Sequence, residues 1–238
     1  RGLFELPAGY RHYTLREQQE ELLGRGLGRM REALAHEGLD AAVLTHNLPP
    51  GEEGSPLSQA QLAGVVDLVG ADLYHRLVEL GSLRNRSLAQ TAMSELPFAA
   101  ELAAGGTPVL GVFRDRDAEM ALLAALGHGV RALTLYMAAD RDRWYGAPIA
   151  SDGTLRPLGQ SHARTLGALG AAGIYGLRRR APVRLVRPRL YQRWLRAATD
   201  LWSPLGPTAA EALHVAPRLR SLPDRFGCSV PIGVAFRE

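Results

Sequence analysis

In the stretch TAMSELPFAAEL, residues 91–102, a short run of small and apolar residues stops at Glu95, just before Pro97. A glutamate closing a strand is either a solvated edge residue or a reactive carboxylate displayed at the mouth of a sheet. Other routes to chemistry are few. All 28 cationic residues are Arg, so no GxxxxGK phosphate loop exists, and HExxH and GxSxG are also absent. The seven histidines are scattered without metal-ligand spacing, and the single cysteine, Cys228, can form neither an internal disulfide nor a Cys-based zinc cluster. GRGLG at 24–28 lies inside a helical pattern rather than after a strand, unlike a dinucleotide loop. No metal and no cofactor is expected, which leaves carboxylate chemistry.

The elements that would position such a carboxylate follow from periodicity. Leu15, Leu22, Leu23, Leu27, Met30 and Leu34 recur at helical steps, with Gly38 as the stop. Apolar runs at Ala41–Thr45, Val65–Asp72, Ala89–Met93 and Val130–Met137 read as strands, expected to pair in that order and in parallel. Helices or helical stretches separate them, including one at Ala118–Leu126. Each run closes on polar residues: His46 and Asn47, Asp72 and Tyr74, Ser94 and Glu95, then a loop rich in Asp and Arg. This is the βα rhythm of a barrel or a doubly wound sheet, where sites collect at the C-terminal ends of the strands. Asn47, Tyr74, Glu95 and Tyr136 would converge there. Glu101, six residues past Glu95, is placed on the following helix as a surface residue. Later come a helix at Leu158–Ala171, a strand at Val183–Val186, a helix from Tyr191 and one terminal strand.

The 238 residues, 46% of them hydrophobic, can bury a substantial core. No apolar stretch reaches the roughly 18 residues of a membrane span, and no signal-peptide pattern opens the chain, so no membrane partner is expected. The compartment stays open, with a lean to the cytoplasm. The net charge of +4 concentrates in GLRRRAPVRLVRPRLYQRWLRAATD, residues 176–200. That run reads as a solvated face rather than a phosphate-tracking surface, so no nucleic-acid partner is expected.

From Ser94 to Pro157 the sequence resembles the seventh and eighth βα units of β-galactosidases of glycoside hydrolase families 35 and 42. Glu95, the segment Ala125–Val130, Tyr136 with Met137, Ala147 with Pro148, and Asp152 with Gly153 carry the resemblance, which extends back to about Asp40. It implies an α/β fold: the C-terminal half of a (β/α)8 TIM barrel, strands five to eight, over residues 1–175, then the start of a second small α/β domain over 176–238. It also implies a retaining glycosidase acting on terminal β-galactosides. Such an enzyme needs one carboxylate to attack the anomeric carbon and a second about 5 Å away to protonate the leaving oxygen. Glu95 would be the nucleophile, aimed by Tyr74 and Tyr136. Trp144 would offer an apolar platform for a sugar ring, and Asn47 and Asp72 would bind hydroxyls.

The family's acid–base glutamate lies in an Asn-Glu pair ending strand four, and this chain has no such dipeptide. Glu5 lacks both the Asn and a preceding strand. The chain is therefore expected to be the C-terminal part of a longer enzyme, inactive alone, whose open strand edges would favour a homo-oligomer. The competing reading is a non-catalytic carbohydrate-binding or oligomerisation module.

Overall fold

The computed structural model describes residues 7–41, 43–48, 62, 64–106, 113–188 and 232–237. The expected helix from Tyr191, together with Glu5 and Cys228, lies outside them. Helix α1 (Pro7–His36) spans the predicted periodic run. It ends as the sequence requires: Gly38 takes φ +76°, Gly38 N donates to Ala35 O, and Leu39 N reaches back to Leu34 O at 2.8 Å. That pair of bonds closes the orphan carbonyls of the last turn. Leu22, Leu23 and Met30 of its apolar stripe are exposed. Arg31 ties the helix to the following chain, donating to Val65 O at 2.7 Å and pairing with Asp67 at 2.7 Å.

Strands β1 (Thr45–Leu48) and β2 (Leu68–Leu73) come next, then a 3-10 turn at Leu77–Glu79 that runs into α2 (Leu80–Met93). After them come β3 (Phe98–Ala103), α3 (Asp115–Gly127), β4 (Ala132–Tyr136) and α4 (Pro157–Ala171). A separate parallel pair, β5 (Val183–Pro188) and β6 (Ile232–Arg237), completes the described elements. The main sheet has the order β1-β2-β3-β4, and β2 with β3 and β3 with β4 pair in parallel. The fold is thus the α/β arrangement of part of a (β/α)8 barrel. The chain forms two compact units: Arg1–His46, Gly51–Val69 and Ala181–Glu238 in one, Asn47–Pro50 and Gly70–Arg180 in the other.

The second unit owes its core to helical spacing. Ala118, Ala121, Leu122, Ala125 and Leu126 form one buried face of α3, and the core joins four of them to Ala71 and Leu73 of β2, Ala99 and Leu102 of β3, Leu83 of α2 and Val130. Each fully buried leucine contributes about 1.5–3 kcal/mol. Asp117 fixes the start of α3 by accepting from Arg114 N at 3.0 Å and from Leu77 N at 2.9 Å, which also anchors the 3-10 turn.

One expected strand is corrected. Residues Ala89–Met93 are the last turns of α2, and the third strand begins five residues later, at Phe98. Ala, Gln and Met favour a helix, and Leu83, Ser87 and Gln90 are buried at three- and four-residue steps. Pro97, buried in the sheet entry, then starts the strand. The first strand is also displaced, from Ala41–Thr45 to Thr45–Leu48.

β3 is not a regular strand. Gly70 pairs with Phe98 and Asp72 with Glu101, so two steps along β2 match three along β3; against β4, Ala99 and Leu102 pair with Leu133 and Leu135, again three against two. One extra residue is therefore bulged into β3 around Ala99–Ala100. Side chains alternate between faces, so an extra residue reverses the phase of everything after it. By strict alternation from Phe98, Glu101 would turn toward the helices. With the bulge it shares a face with Asp72, while Leu102 joins Leu73 in the core.

Two features accommodate the bulge. Gly70 gives it room: a Cβ there would stand 2.4 Å from Ala100 Cβ and 3.0 Å from Phe98 Cδ1. Thr134 of β4 donates its hydroxyl to the Ala100 carbonyl, which would otherwise lose its ladder partner.

Candidate active site

Glu101 lies in the C-terminal half of β3, half-buried, on the face the helices leave open. Two neighbouring strands supply donors to its carboxylate. The Tyr74 hydroxyl, at the exit of β2, donates to Oε2 at 2.5 Å, and Asn47 Nδ2, on β1, donates to Oε1 at 3.3 Å. Each oxygen therefore has one fixed donor, which orients the group. The Tyr74 hydroxyl is itself pushed well above the ordinary phenol range, first by burial and then by its bond to Glu101, so it stays protonated as a donor.

Asp72 stands directly across from Glu101 in the register of β2 and β3. Burial, and then the charge of Glu101, raise its carboxyl to about 6, while the Arg86 guanidinium pulls the other way. Arg86 belongs to α2 and is buried. The Oδ1 atom of Asp72 is buried with no hydrogen-bond partner among the described residues.

Tyr136 ends β4. Its ring meets Tyr74 edge to face at 6.2 Å and Trp144 at 5.1 Å, and its hydroxyl accepts from Arg141 at 3.1 Å rather than reaching Glu101. Trp144 is buried, with its indole N–H bonded to Ala104 O at 3.0 Å. It therefore packs behind Tyr136 rather than presenting an open platform. The loop carrying Trp144 is pinned by Asp140, which accepts from Ala147 N at 2.9 Å and pairs with Arg156 at 2.5 Å.

Of the residues expected from sequence, Asn47, Asp72 and Tyr74 gather around one carboxylate, while Tyr136 packs against Tyr74 and Trp144 against Tyr136. That carboxylate belongs to Glu101, which sequence reasoning had placed on a helix. Glu95 is exposed in the turn between α2 and β3, at the N-terminal edge of the sheet, and accepts no hydrogen bond among the described residues. It closes no strand. Arg86 and Arg141 were also missed; nothing in their spacing sets them apart in a chain whose cations are all Arg. Among the described residues no group of three or more His, Cys, Asp or Glu could hold a metal ion, and no helix is long and apolar enough to cross a membrane.

The sheet brings a carboxylate, an amide and phenols together at the C-terminal ends of its strands, where sites collect in barrel folds. No family model matches the chain, and no curated protein matches it by sequence. Among solved structures it is similar to a Glu-to-Ala catalytic mutant of Gan42B, a GH42 beta-galactosidase from G. stearothermophilus, with a TM-score of 0.57 and 15% identity. The match covers 81% of this chain and 30% of that one. At that identity the likeness shows the fold alone, part of a barrel, and this chain spans less than a third of its neighbour's length.

Proposed function

We infer that this chain supplies the nucleophile side of a retaining, β-galactosidase-like glycoside hydrolase, with Glu101 attacking the anomeric carbon of a terminal β-galactoside. The observation that carries this reading is the Glu101 carboxylate, held at the open end of a parallel sheet by Tyr74 from one side and Asn47 beyond it. A nucleophile fixed by donors on neighbouring strands is aimed before substrate arrives, which reduces the cost of reaching the attacking geometry. As the ester forms, one carboxylate oxygen bonds to the sugar and the other keeps its own donor, Tyr74 on Oε2 or Asn47 on Oε1. The likeness to a beta-galactosidase fold supports the substrate class.

A retaining enzyme also needs an acid–base carboxylate about 5 Å from the nucleophile. The carboxylate in register with Glu101, Asp72, sits on the strand that supplies Tyr74, so it shares the nucleophile's side of the site. We assign the acid–base role to a part of the protein outside the described residues. The test is trapping: the full polypeptide is incubated with a 2-deoxy-2-fluoro-β-galactoside bearing a good leaving group, digested and sequenced by mass spectrometry. The label is expected on Glu101. Label on Glu95, or covalent capture elsewhere, would overturn the assignment.

A further inference from the structure

We propose that Asp72 is a positioning residue for Glu101: as pH falls it takes the first proton of the Asp72–Glu101 pair, and its titration therefore shows as an inflection in the enzyme's pH profile. This rests on the glycosidase reading for its kinetic consequence, but the pairing itself does not.

The geometry comes from the bulge. It turns Glu101 onto the face of Asp72 and puts the two residues in direct register on adjacent strands. Two carboxylates so placed cannot both ionise freely. Their environments differ in a way that fixes which one keeps the proton. Glu101 receives Tyr74 and Asn47 as donors, one on each oxygen. Asp72 has a buried Oδ1 without a partner among the described residues, which disfavours charge there. The groups facing Asp72 are Glu101 from β3, which raises its affinity for a proton, and Arg86 from α2, which lowers it. Tyr74 and Asn47 are neutral. The outcome is a carboxyl pushed up to about 6.

During the reaction Glu101 becomes an ester and loses its charge. The repulsion that kept Asp72 protonated falls away, and its proton can leave to solvent. When water later cleaves the ester and Glu101 regains its charge, Asp72 takes a proton back. No net proton is consumed over the cycle.

Two measurements on the full polypeptide test this. The first is independent of activity: the Asp72 side-chain carboxyl is followed by carbon-13 NMR across pH 3 to 9. Its midpoint is expected well above the ordinary aspartate value in the parent protein and lower in Glu101→Gln, which keeps the shape and removes the charge. A midpoint unmoved by Glu101→Gln would sink the proposal. The second is the pH profile of kcat/KM on an aryl β-galactoside. Asp72→Asn is expected to lose the inflection near 6, and Asp72→Glu to retain one. An unchanged inflection in Asp72→Asn would also overturn it. If the parent shows no turnover at any pH while the NMR coupling is present, the glycosidase reading fails and the carboxylate pair stands.

Discussion

Gly70→Ala should damage the site from a distance, through the bulge in β3. The new Cβ would stand 2.4 Å from Ala100 Cβ, 3.0 Å from Phe98 Cδ1 and 3.2 Å from the Ala100 backbone nitrogen. Carbon atoms rest at about 3.5–4.0 Å, so more than an ångström must be found between two strands whose spacing is fixed near 4.8 Å by their ladder. Ala100 is buried and cannot swing away. Overpacking of this kind costs about 1–3 kcal/mol. Replacing glycine also restricts the unfolded chain, which returns about 0.4–1 kcal/mol. The net expectation is a loss of about 1–2 kcal/mol.

Urea denaturation followed by circular dichroism measures it. With a slope of about 1–3 kcal/mol per molar, the midpoint should fall by roughly 0.5–1 M. The double variant Gly70→Ala/Ala100→Gly removes the shortest of the three contacts. It should recover more than half of the lost stability, giving a coupling of about 1 kcal/mol between positions on neighbouring strands. If Gly70→Ala left the midpoint within about 0.2 M of the parent, the close approach of Ala100 to β2 would be wrong, and with it the account of how Glu101 reaches the open face. If the single variant were destabilised but the double variant no better, the strain would lie with Phe98 instead.

Thr134→Val removes the hydroxyl that serves the Ala100 carbonyl while keeping the side chain's shape. It should cost about 1 kcal/mol in denaturant unfolding, since an unserved carbonyl is destabilising. Trp144→Phe keeps a ring against Tyr136 but loses the bond to Ala104 O; thermal unfolding should register a loss of about 1–2 kcal/mol. Asp72→Asn should change stability in a pH-dependent way. The folded carboxyl titrates near 6 against an ordinary value near 3.8, so the native state binds more protons between those values and loses stability as pH rises from about 4 to 6. Two units correspond to about 3 kcal/mol at full effect, reduced to about 1–2 kcal/mol because the group is only half-buried. Relative to the parent, the variant should therefore gain about that much between pH 4 and pH 8, read from denaturation midpoints; a pH-independent difference would contradict the placement of Asp72 beside Glu101.

Three of the helices were legible from their apolar spacing. α1, α3 and α4 carry apolar residues at three- and four-residue steps, and Gly38 stops α1 by the geometry expected of a glycine there. β2 and β4 were found within a few residues because their runs are apolar on both sides. The failure at α2 has a definite cause. Its buried face is mixed, with Leu83, Arg86, Ser87, Leu88 and Gln90 all turned inward, so the helical period does not show as hydrophobicity. The small residues near its end then resemble a short strand. Two signals pointed the other way: the helix-forming composition of residues 80–93, and a second apolar run, Phe98–Ala104, between Pro97 and the Gly105–Gly106 pair.

Recovering that strand would still not have placed Glu101. FAAELA offers no period-two pattern: counted from Phe98, alternation sends the glutamate toward the helices, where an unpaired charge would be costly. The contradiction is removed only by the bulge, and the bulge depends on partners outside the strand, Gly70 on one neighbour and Thr134 on the other. A local irregularity tied to residues about 30 positions away in each direction leaves no trace in the segment itself. What it leaves is a charged residue in an otherwise apolar strand. In a sheet covered by helices on one face, that residue must face the open side, and at the C-terminal end of a parallel strand the open side is where substrates bind. The glutamate that breaks the pattern of β3 is for this reason a better guide to the site than Glu95, which is exposed in the turn before the strand.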